Sequence, residues 1–453
     1  MDLSAKKQLS YGLDFGTSNS TVSVVSNGKV NVLPISFNSK SPEVFQSAMY
    51  FKDGHIKFAS EAVEEYLDDL SKADLAVKKL IATGGKIEVF RGSDKVIVDQ
   101  IIEYEDCGVG RIMRSFKSVL GNSNNFTTMI AGQLITFEEL LAIFIREIKN
   151  RADYIVGENV EKIVIGRPIK FVRDSSEGKN PLTHLTNAAK LAGFKEIEFQ
   201  YEPVGAAYGY GVENKEKVLI FDFGGGTLDT SIVDLVKSEV IASHGAPIGG
   251  DLMDQELYDN YIAKYLGKNL RYGQNRISYA KSAVSHMISW FDIAEYRTRN
   301  FFDYLDSVRY MANEPDTIEF IRFFLKANLT FPLRKKIVEA KEQLSNKREV
   351  DFVFKTLVKT INETFERSVF ERSIDYCLEE SKMVVEETLK MAGVNKNDID
   401  RVIMTGGSSL IPKFRLQMEG MFGKHKVILF EPFTAVSKGL AVISNKMDTS
   451  LSH

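Results

Sequence analysis

The stretch LIFDFGGGTLDTSIVDL, residues 219–235, places one acid and a run of glycines between two apolar segments. Apolar residues on both sides of Asp222 predict a buried strand that ends near this carboxylate. The glycines 224–226 separate it from a second predicted strand at 228–234. Glycine lets a backbone approach a ligand closely and adopt positive φ, and successive N–H groups in a turn bind anions. The stretch is therefore a candidate ligand loop at a strand end.

The same arrangement occurs near the N-terminus, in YGLDFGTSNSTVSVV, residues 11–25. A predicted strand ends at Asp14, a turn of small residues follows, and a second strand begins near residue 21. The dipeptide Asn27-Gly28 then predicts a two-residue hairpin turn. The tripeptide Asp-Phe-Gly thus recurs 208 residues apart. A repeat at this distance predicts two related lobes and not a short-period solenoid.

A strand followed by a glycine loop and a helix also occurs in both halves. The two segments are VEKIVIGRPIKF, residues 160–171, and IDRVIMTGGSSLIPKFRLQME, residues 399–419, where Pro412 is expected just inside a helix start. Helical periodicity is clear at 136–156 and 375–393, and the latter ends in a glycine. These patterns predict an α/β protein with mixed sheets flanked by helices in two lobes, and a cleft for ligand between the lobes.

Composition disfavours several classes of protein. The net charge of −3 gives no basic excess for nucleic acid or an anionic membrane, and no apolar run reaches the ~18 residues of a membrane helix. The first ten residues, MDLSAKKQLS, lack the apolar core of a signal peptide, so none is expected. Cys107 and Cys377 form no CxxC, and the six histidines form no HExxH, so two unpaired thiols in a reducing compartment are expected. We therefore predict a cytoplasmic, monomeric protein without nucleic-acid or membrane partners.

An acid beside an anion-binding turn implies a cation. A carboxylate would repel phosphate unless Mg²⁺ lay between them, and Mg²⁺ is held by one or two carboxylates together with phosphate oxygens. One glycine turn could be only a tight bend. Two acid-plus-glycine turns and a third loop, TGGSS at 405–409, favour a nucleoside triphosphate with Mg²⁺. The chain has no GxxxxGK[ST], and GGGTLD leads into a strand, so neither a P-loop nor a Rossmann site is predicted.

Four motifs carry a family resemblance, and they occur in the family's order. They are GLDFGTSNSTV (12–22), EPVGAAYGYG (202–211), LIFDFGGGTLDTSIV (219–233) and MTGGSSLIPKF (404–414). Together they resemble the ATPase domain of DnaK-type heat shock protein 70 chaperones. IGRPIKF (165–171) and LAGFKEIEFQYEPV (191–204) resemble the YegD-like branch of that family. The resemblance covers nearly the whole chain and implies a two-lobed actin-like ATPase with duplicated ribonuclease H-like lobes.

The resemblance also implies roles for individual residues. The expected Mg²⁺ ligands, directly or through water, are Asp14, Glu202, Asp222 and Asp229. The expected catalytic residues are Lys117, Glu202, Asp222 and Thr227. The residues expected to contact ATP or ADP are Gly16, Thr17, Ser18, Asn19, Gly224, Gly225, Gly226, Thr227, Lys341, Ser345, Gly406, Gly407 and Ser408. Lys117 could instead be a solvated helix lysine, and Glu202 a surface acid at a strand end.

The chain departs from the family where adenine is bound. Two arginines sandwich the base in the family, and Glu342 and Leu410 stand at those positions here, with Val338 where a glutamate is usual. A carboxylate cannot provide the cation–π contact that guanidinium makes with a ring. We therefore expect weaker adenine affinity or looser base selectivity.

The predicted division of the chain follows from the duplicated pattern and the resemblance. Lobe I covers 1–215, with 36–129 as its peripheral subdomain and a C-terminal return at 430–453. Lobe II covers 216–429, with a largely helical peripheral subdomain at 256–364. Residues 255–335 resemble an insertion relative to the family's chain. The two alternatives for this segment are internal packing and the binding of partners or clients. No client-peptide domain is expected after "EPFTAVSKGLAVISNK".

The sequence leaves four functions open. The first is a slow Mg²⁺-dependent ATPase with chaperone-like or regulatory output. The second is a small-molecule kinase of the same superfold, for which no acceptor-site acid can be named. The third is a nucleotide-gated scaffold with negligible turnover, favoured by Glu342 and Leu410. The fourth is a filament-forming actin relative.

Overall fold

The structure is a computed structural model of the chain. It describes residues 8–37, 39–72, 77–91, 94–106, 110–114, 117, 120, 127–130, 133–168, 181–211, 216–237, 239–289, 293–430 and 433–450. Cys107 lies outside these described residues. None of the helices within them is long and apolar enough to cross a membrane.

Runs of strands and runs of helices follow one another along the chain. The strands are β1 (Ser10–Phe15), β2 (Asn19–Ser26), β3 (Lys29–Val32), β4 (Phe45–Gln46), β5 (Ala48–Lys52), β6 (His55–Phe58), β7 (Val77–Arg91), β8 (Asp94–Asp106), β9 (Arg111–Arg114), β10 (Thr127–Ile130), β11 (Gln133–Thr136), β12 (Lys162–Arg167), β13 (Glu196–Tyr201), β14 (Lys217–Phe223), β15 (Leu228–Asp234), β16 (Glu239–Ala246), β17 (Arg271–Tyr272), β18 (Ile277–Ser278), β19 (Glu349–Lys355), β20 (Thr360–Glu366), β21 (Arg401–Thr405) and β22 (Val427–Leu429). The α-helices are α1 (Ala59–Lys72), α2 (Phe137–Val156), α3 (Pro181–Leu191), α4 (Glu202–Tyr210), α5 (Gly250–Leu257), α6 (Lys281–His286), α7 (Ile293–Tyr296), α8 (Arg299–Arg309), α9 (Pro315–Lys326), α10 (Thr330–Leu344), α11 (Arg367–Ser373), α12 (Asp375–Ala392), α13 (Pro412–Phe422) and α14 (Ala435–Ser450).

The chain divides into two compact units. The first comprises Met1–Glu64, Arg111–Met253 and Ser368–His453, and the second comprises Glu65–Gly110 and Asp254–Arg367. The first unit contains both large sheets and therefore both Asp-Phe-Gly turns.

The two large sheets of the first unit share one topology. The first has the strand order β13-β12-β1-β2-β3, with β4 also paired to β2, and the second has the order β16-β15-β14-β21-β22. In both sheets an antiparallel meander supplies three strands, and two further strands add in parallel to its first strand. The duplication predicted from the repeated tripeptide is therefore present at the level of strand order.

The hairpin turns match the sequence pattern. Asn27 and Gly28 both have positive φ, 53° and 73°, as a two-residue turn between β2 and β3 requires. The second glycine turn joins β14 to β15, and β15 covers the 228–234 interval predicted for it.

Apolar residues alternate with small or polar residues along β1, so one face of the first sheet, its outer face, is apolar. Tyr11, Leu13 and Phe15 point into a core shared with α2, where the rings of Phe15 and Phe144 lie 6.1 Å apart. Thr136 caps α2 through a capping box with Glu139, and the left-handed Gly157 ends the helix.

The inner face of this sheet carries small and polar residues, and α14 packs closely against it. A Cβ at Gly12 would lie 2.3 Å from the backbone nitrogen of Ala441. Thr21 and Ser23 hydrogen-bond Ser437 of α14 at 3.0 and 2.9 Å. Small residues are needed here because any larger side chain would push the helix away from the sheet.

The helices α4 and α14 cross in close contact, and together they connect the two sheets. A Cβ at Gly439 would lie 1.7 Å from the carbonyl oxygen of Gly205. Apolar residues of both helices share a core cluster with both sheets, including Val164 of β12, Ile220 of β14 and Leu440 of α14. The start of α4 is thereby fixed relative to β1 and β14.

The second unit contains the helical segment predicted at 255–335. Ile318, Ile321 and Leu325 are buried on one face of α9, as their helical spacing predicts. Burial of this face supports internal packing of the segment. Trp290 would be part of the docking surface if this segment bound partners, and it lies outside the described residues.

The spacing of Phe301, Leu305, Val308 and Met311 predicts one shared helical face in α8, and this prediction is partly wrong. Leu305 and Val308 are buried as expected, but Phe302 is buried in place of Phe301, and Met311 is 57% exposed. The helix ends at Arg309, so Met311 lies beyond the turn that would have placed it on this face.

Candidate functional site

The two Asp-Phe-Gly turns place their acids at equivalent positions. Asp14 of β1 lies opposite Thr21 of β2, and Asp222 of β14 lies opposite Asp229 of β15. At the position opposite the aspartate, the first hairpin therefore has a hydroxyl group and the second has a carboxylate. Thr21 donates to Ser437, whereas Asp229 accepts a hydrogen bond of 2.9 Å from the Thr227 hydroxyl.

In each turn a buried serine holds the carbonyl oxygen of the first glycine. Ser47 Oγ donates to the Gly16 oxygen at 2.9 Å, and Ser408 Oγ donates to the Gly224 oxygen at 2.7 Å. The Ser47 backbone N–H also donates to the Ser18 oxygen at 2.9 Å. These carbonyl oxygens thus accept hydrogen bonds from protein donors, which leaves the interior of each turn to the backbone N–H groups.

The second turn is held by further contacts from the start of α5. The backbone N–H groups of Gly250 and Asp251 donate to the oxygens of Gly224 and Gly225 at 3.1 and 2.8 Å. Gly249 needs to lack a side chain, because a Cβ would lie 2.2 Å from the Gly225 oxygen.

Backbone N–H groups in both turns are available to a ligand. Within the described part of the chain, the N–H groups of Thr17, Ser18, Gly225 and Gly226 have no protein acceptor. Nothing lies within 4 Å of a Cβ at Gly226, so this turn opens onto space. The expectation that these glycines use positive φ is wrong for 224–226, since none of the three is left-handed.

The third loop contacts the second turn directly. Gly406 follows β21, which runs parallel to β14, and it has a positive φ of 81°. A Cβ there would lie 2.3 Å from the Phe223 oxygen and 2.8 Å from Asp222 Oδ1. Glycine is therefore required at this position both for its φ and for space. Gly407 and Ser408 form the 3₁₀ turn that follows.

Lys117 and Glu202 form an ion pair next to the two aspartates. Lys117 Nζ lies 2.5 Å from Glu202 Oε1, and the two side chains are only 14% and 17% exposed. Glu202 is the first residue of α4, and its Cγ lies 3.1 Å from a Cβ position at Gly166 of β12. The alternatives of a solvated lysine and a surface acid are thus both wrong.

Burial and mutual repulsion change the pKa values of the acids. Burial, followed by the charge of Glu202, raises the pKa of Asp14 to about 8, against an opposing effect of Lys117. Burial, followed by Asp229, raises the pKa of Asp222 to about 7. Burial also raises the pKa of Asp229, although its bond from Thr227 acts in the opposite direction. The site therefore holds more negative charge than its one lysine neutralises.

The pKa of Lys117 is also raised, which for a lysine favours the charged form. Burial by itself would lower the pKa of Lys117, but the carboxylates of Glu202, Asp14 and Asp222 outweigh burial and raise it. Lys117 is therefore charged throughout the physiological range, and its ammonium interacts with carboxylates from β1, α4 and β14.

The acids do not form a preassembled metal cage. Among the residues described by the structure, no group of three or more His, Cys, Asp or Glu side chains could hold a metal ion. A cation bound largely through water and phosphate oxygens does not require such a cage. The excess negative charge and raised pKa values fit a divalent cation of this kind.

The remaining predicted residues belong to the second unit. Lys341 of α10 forms an ion pair of 2.6 Å with the buried Asp254, so its ammonium already has a carboxylate partner. Ser345 is the C-terminal cap of α10. Glu342, at one expected adenine-stacking position, is exposed, as is Leu410 of the first unit.

Two residues near the turns were not predicted from the sequence. Ser47 lies 31 residues from the glycine whose carbonyl it holds, and no motif marks it. Phe433 packs its ring against Gly407, with Cζ 3.7 Å from the Cβ position there. Single serines and exposed aromatic residues are too common for sequence alone to have identified either.

The sequence of the chain matches the model of a known protein family. The sequence model of the Hsp70 protein family matches residues 10–282 and 302–449. The chain belongs to the Hsp70 family. The family's ATPase domain has the actin-like fold, in agreement with the duplicated sheets, and the family binds ATP and ADP. The unmatched residues 283–301 lie inside the segment predicted to be an insertion.

Curated relatives include chaperone proteins DnaK from several bacteria. The protein of Thermus thermophilus is 25% identical over 436 residues, which are 95% of this chain and 60% of the relative. That of Mycoplasmopsis synoviae is 25% identical over 447 residues, 96% of this chain and 58% of the relative. This Hsp70-family chain thus spans about three fifths of the length of the curated relatives it matches.

Proposed function

We propose that this chain binds Mg²⁺-ATP at the two Asp-Phe-Gly turns and hydrolyses it slowly, as a chaperone-like ATPase of the DnaK type. One observation carries the proposal. Lys117 and Glu202 form a buried ion pair beside Asp14 and Asp222, and in the described part of the two turns that carry these aspartates the N–H groups of Thr17, Ser18, Gly225 and Gly226 have no protein acceptor. Anion-binding turns combined with excess carboxylate charge suit a phosphate chain and a divalent cation better than either ligand alone.

Each residue group has a distinct part in the proposed reaction. The N–H groups of Thr17, Ser18, Gly225 and Gly226 would bind phosphate oxygens. Lys117 would stabilise the charge that develops on the transferred phosphoryl group, and the Thr227 hydroxyl would add a hydrogen bond by turning away from Asp229, to which it donates in the structure. Hydrolysis of this kind depends on positioning and charge stabilisation and needs little covalent chemistry from the protein.

Asp14, Asp222, Asp229 and Glu202 are the proposed acids of the Mg²⁺ site. Bound Mg²⁺ would neutralise phosphate charge during the reaction. Glu202 and Asp222 would also hold and orient the attacking water. Which carboxylate accepts its proton is left open, because both lie in the same charge cluster.

Mg²⁺-dependent ATP hydrolysis tests the proposal directly. Asp222→Asn keeps the shape of the side chain but removes its charge, so we expect hydrolysis to fall at least ~100-fold. Asp234→Asn is a matched control, because Asp234 lies on the same hairpin at its opposite end and bonds only local backbone groups. Equal activity of the Asp222 variant and the wild type would refute the site.

A nucleotide-gated scaffold with negligible turnover is the second candidate. Glu342 and Leu410, both exposed, favour it because neither gives the base the cation contact expected in the family. Nucleotide binding without Mg²⁺-stimulated phosphate release would support the scaffold over the ATPase.

The family and the sequence also support a family branch, a location, an oligomeric state and a division into lobes for this chain. We place the chain in the YegD-like branch, acting as a cytoplasmic monomer, with lobes at 1–215 and 216–429. Protein partners or clients would bind through 255–335 outside its buried helical faces. Size-exclusion chromatography with light scattering, with and without ATP, would separate a monomer from a filament-forming protein.

A further inference from the structure

The aromatic residue beside the third loop suggests how a base could be bound without the family's arginines. Phe433 lies two residues before α14 and is 45% exposed. Single exposed apolar side chains are common on proteins, so exposure by itself decides nothing. The position of this ring is what makes it informative.

Contacts at both ends fix Phe433 next to the proposed phosphate site. Its carbonyl oxygen lies 3.2 Å from the hydroxyl of Thr21, which shares its one hydrogen between this oxygen and Ser437; Thr21 is the residue opposite Asp14 in the first hairpin. Its ring tip, Cζ, lies 3.7 Å from the Cβ position of Gly407 in the third loop. Phe433 therefore connects the first hairpin to the loop that packs on the second turn.

Chemistry at this position favours stacking over hydrogen bonding. Gly407 meets the ring at its tip, and the side chain of Phe433 is 45% exposed. Ser408 and Ser409, the neighbouring hydroxyl groups, are buried and donate to the oxygens of Gly224 and Gly406. Their donor hydrogens are therefore already used within the protein, so these hydroxyls could only accept hydrogen bonds from a base.

We infer that Phe433 is a stacking platform for the base of a purine nucleoside triphosphate, beside the third loop in which Leu410 stands where the family has an arginine. The inference rests on the proposed nucleotide function and adds how the base is recognised. Stacking on an aromatic ring tolerates different bases because every base has a π-face. The site would therefore accept adenine and guanine with similar affinity.

Calorimetric titration in the presence of Mg²⁺ tests this with three probes: ATP, GTP and inorganic tripolyphosphate. Phe433→Ala should weaken ATP and GTP binding by about tenfold or more, the scale of one lost base–aromatic stack. It should leave tripolyphosphate binding unchanged, because the phosphate turns do not depend on the ring. Phe433→Tyr, which keeps the ring, should bind all three probes as the wild type does.

Leu416→Ala is the matched control. Leu416 is an exposed apolar residue on α13, 65% accessible, and has no place in the proposed site. Its variant should bind every probe normally.

Three results would overturn the inference. Unchanged ATP and GTP binding by Phe433→Ala would show that the ring does not contact the base. An equal loss for tripolyphosphate would show that the ring only supports the turns. Failure of the wild type to bind any of the three probes would refute the proposed function and this inference with it, whereas the first two results leave the proposed function intact.

Discussion

Lys117 Nζ lies 2.5 Å from Glu202 Oε1, although 85 residues separate the two in the chain. The pair joins a residue before α2 to the first residue of α4, and both side chains are largely buried. Its position beside Asp14 and Asp222 makes Lys117 the cation that compensates this acidic cluster.

Replacing Lys117 by methionine should therefore affect both stability and activity. The buried carboxylates would lose their cation, and breaking a buried ion pair costs about 3 kcal/mol of unfolding free energy. Hydrolysis should fall by roughly 100-fold or more, since a donor to the developing charge is lost. Chemical denaturation and phosphate release measure the two effects.

The surface pair of Lys195 and Glu161 is a suitable control. Its two side chains are 72% and 31% exposed, and the ions lie 2.7 Å apart. Exposed pairs contribute about 0–1 kcal/mol, so Lys195→Met should change stability little and leave hydrolysis intact. Equal destabilisation by both substitutions would contradict the special position of Lys117.

The serines that hold the glycine carbonyls should differ in importance. Ser47→Ala removes the side-chain donor to the Gly16 oxygen, whereas after Ser408→Ala the Gly224 oxygen keeps the N–H of Gly250. One neutral hydrogen bond contributes about 1 kcal/mol, or roughly fivefold in affinity. We expect Ser47→Ala to weaken ATP binding by about this factor and Ser408→Ala to weaken it less.

The number of phosphates distinguishes a turn effect from general damage. If the serines order the turns, the loss should be large for ATP and ADP and small for adenosine. Ser243→Ala provides the control, because Ser243 bonds only Ser231 within the second sheet among the contacts described. A uniform loss across the three ligands would argue for misfolding.

The stability of the metal-free protein should decrease from pH 4 to pH 8. Asp14 and Asp222 have unfolded pKa values of 3.8 and folded values of about 8 and 7, so in this window the folded state binds more protons than the unfolded state. The free energy of unfolding then falls as pH rises, is unaffected by these acids well below their unfolded pKa of 3.8, and levels off only once the pH is well above the folded pKa of about 8 for Asp14.

Thermal unfolding in EDTA across this range measures the slope. Asp222→Asn should make it shallower, whereas Asp234→Asn, at the other end of the hairpin, should not. Added Mg²⁺ should also reduce the slope, since a cation favours the charged carboxylates. A metal-free stability that rises with pH through this window would contradict the assigned environment of the two acids.

The sequence predicted those parts of the site that are local in the chain. Asp14 and Asp222 lie next to last in β1 and β14, as the apolar residues around them predict, and the repeated strand–turn–strand pattern predicted the hairpin that the two sheets share. Ser47 and Phe433 were missed because their contacts exist only after distant segments pack together. Lys117 and Glu202 entered through the family resemblance, since neither spacing nor periodicity relates residues from different elements. The use of 224–226 was also misjudged: these glycines provide open space, and Gly406 provides the positive φ.

Two glycine-to-alanine substitutions in helices should have opposite effects on stability. On α14, an added Cβ at Gly439 would lie 1.7 Å from the Gly205 oxygen, a backbone atom that can move only if α4 and α14 separate. Overpacking of this kind costs about 1–3 kcal/mol or more. On α13, a Cβ at Gly420 meets nothing within 4 Å, so alanine should stabilise that helix by up to about 1 kcal/mol.

Thermal unfolding of the two variants, each measured against the wild type, tests the close crossing of α4 and α14. The crossing also fixes the start of α4, where Glu202 lies, so Gly439→Ala should reduce hydrolysis as well as stability. Gly420→Ala should leave hydrolysis unchanged. A Gly439→Ala variant as stable and active as the wild type would show that the helices do not need this close approach.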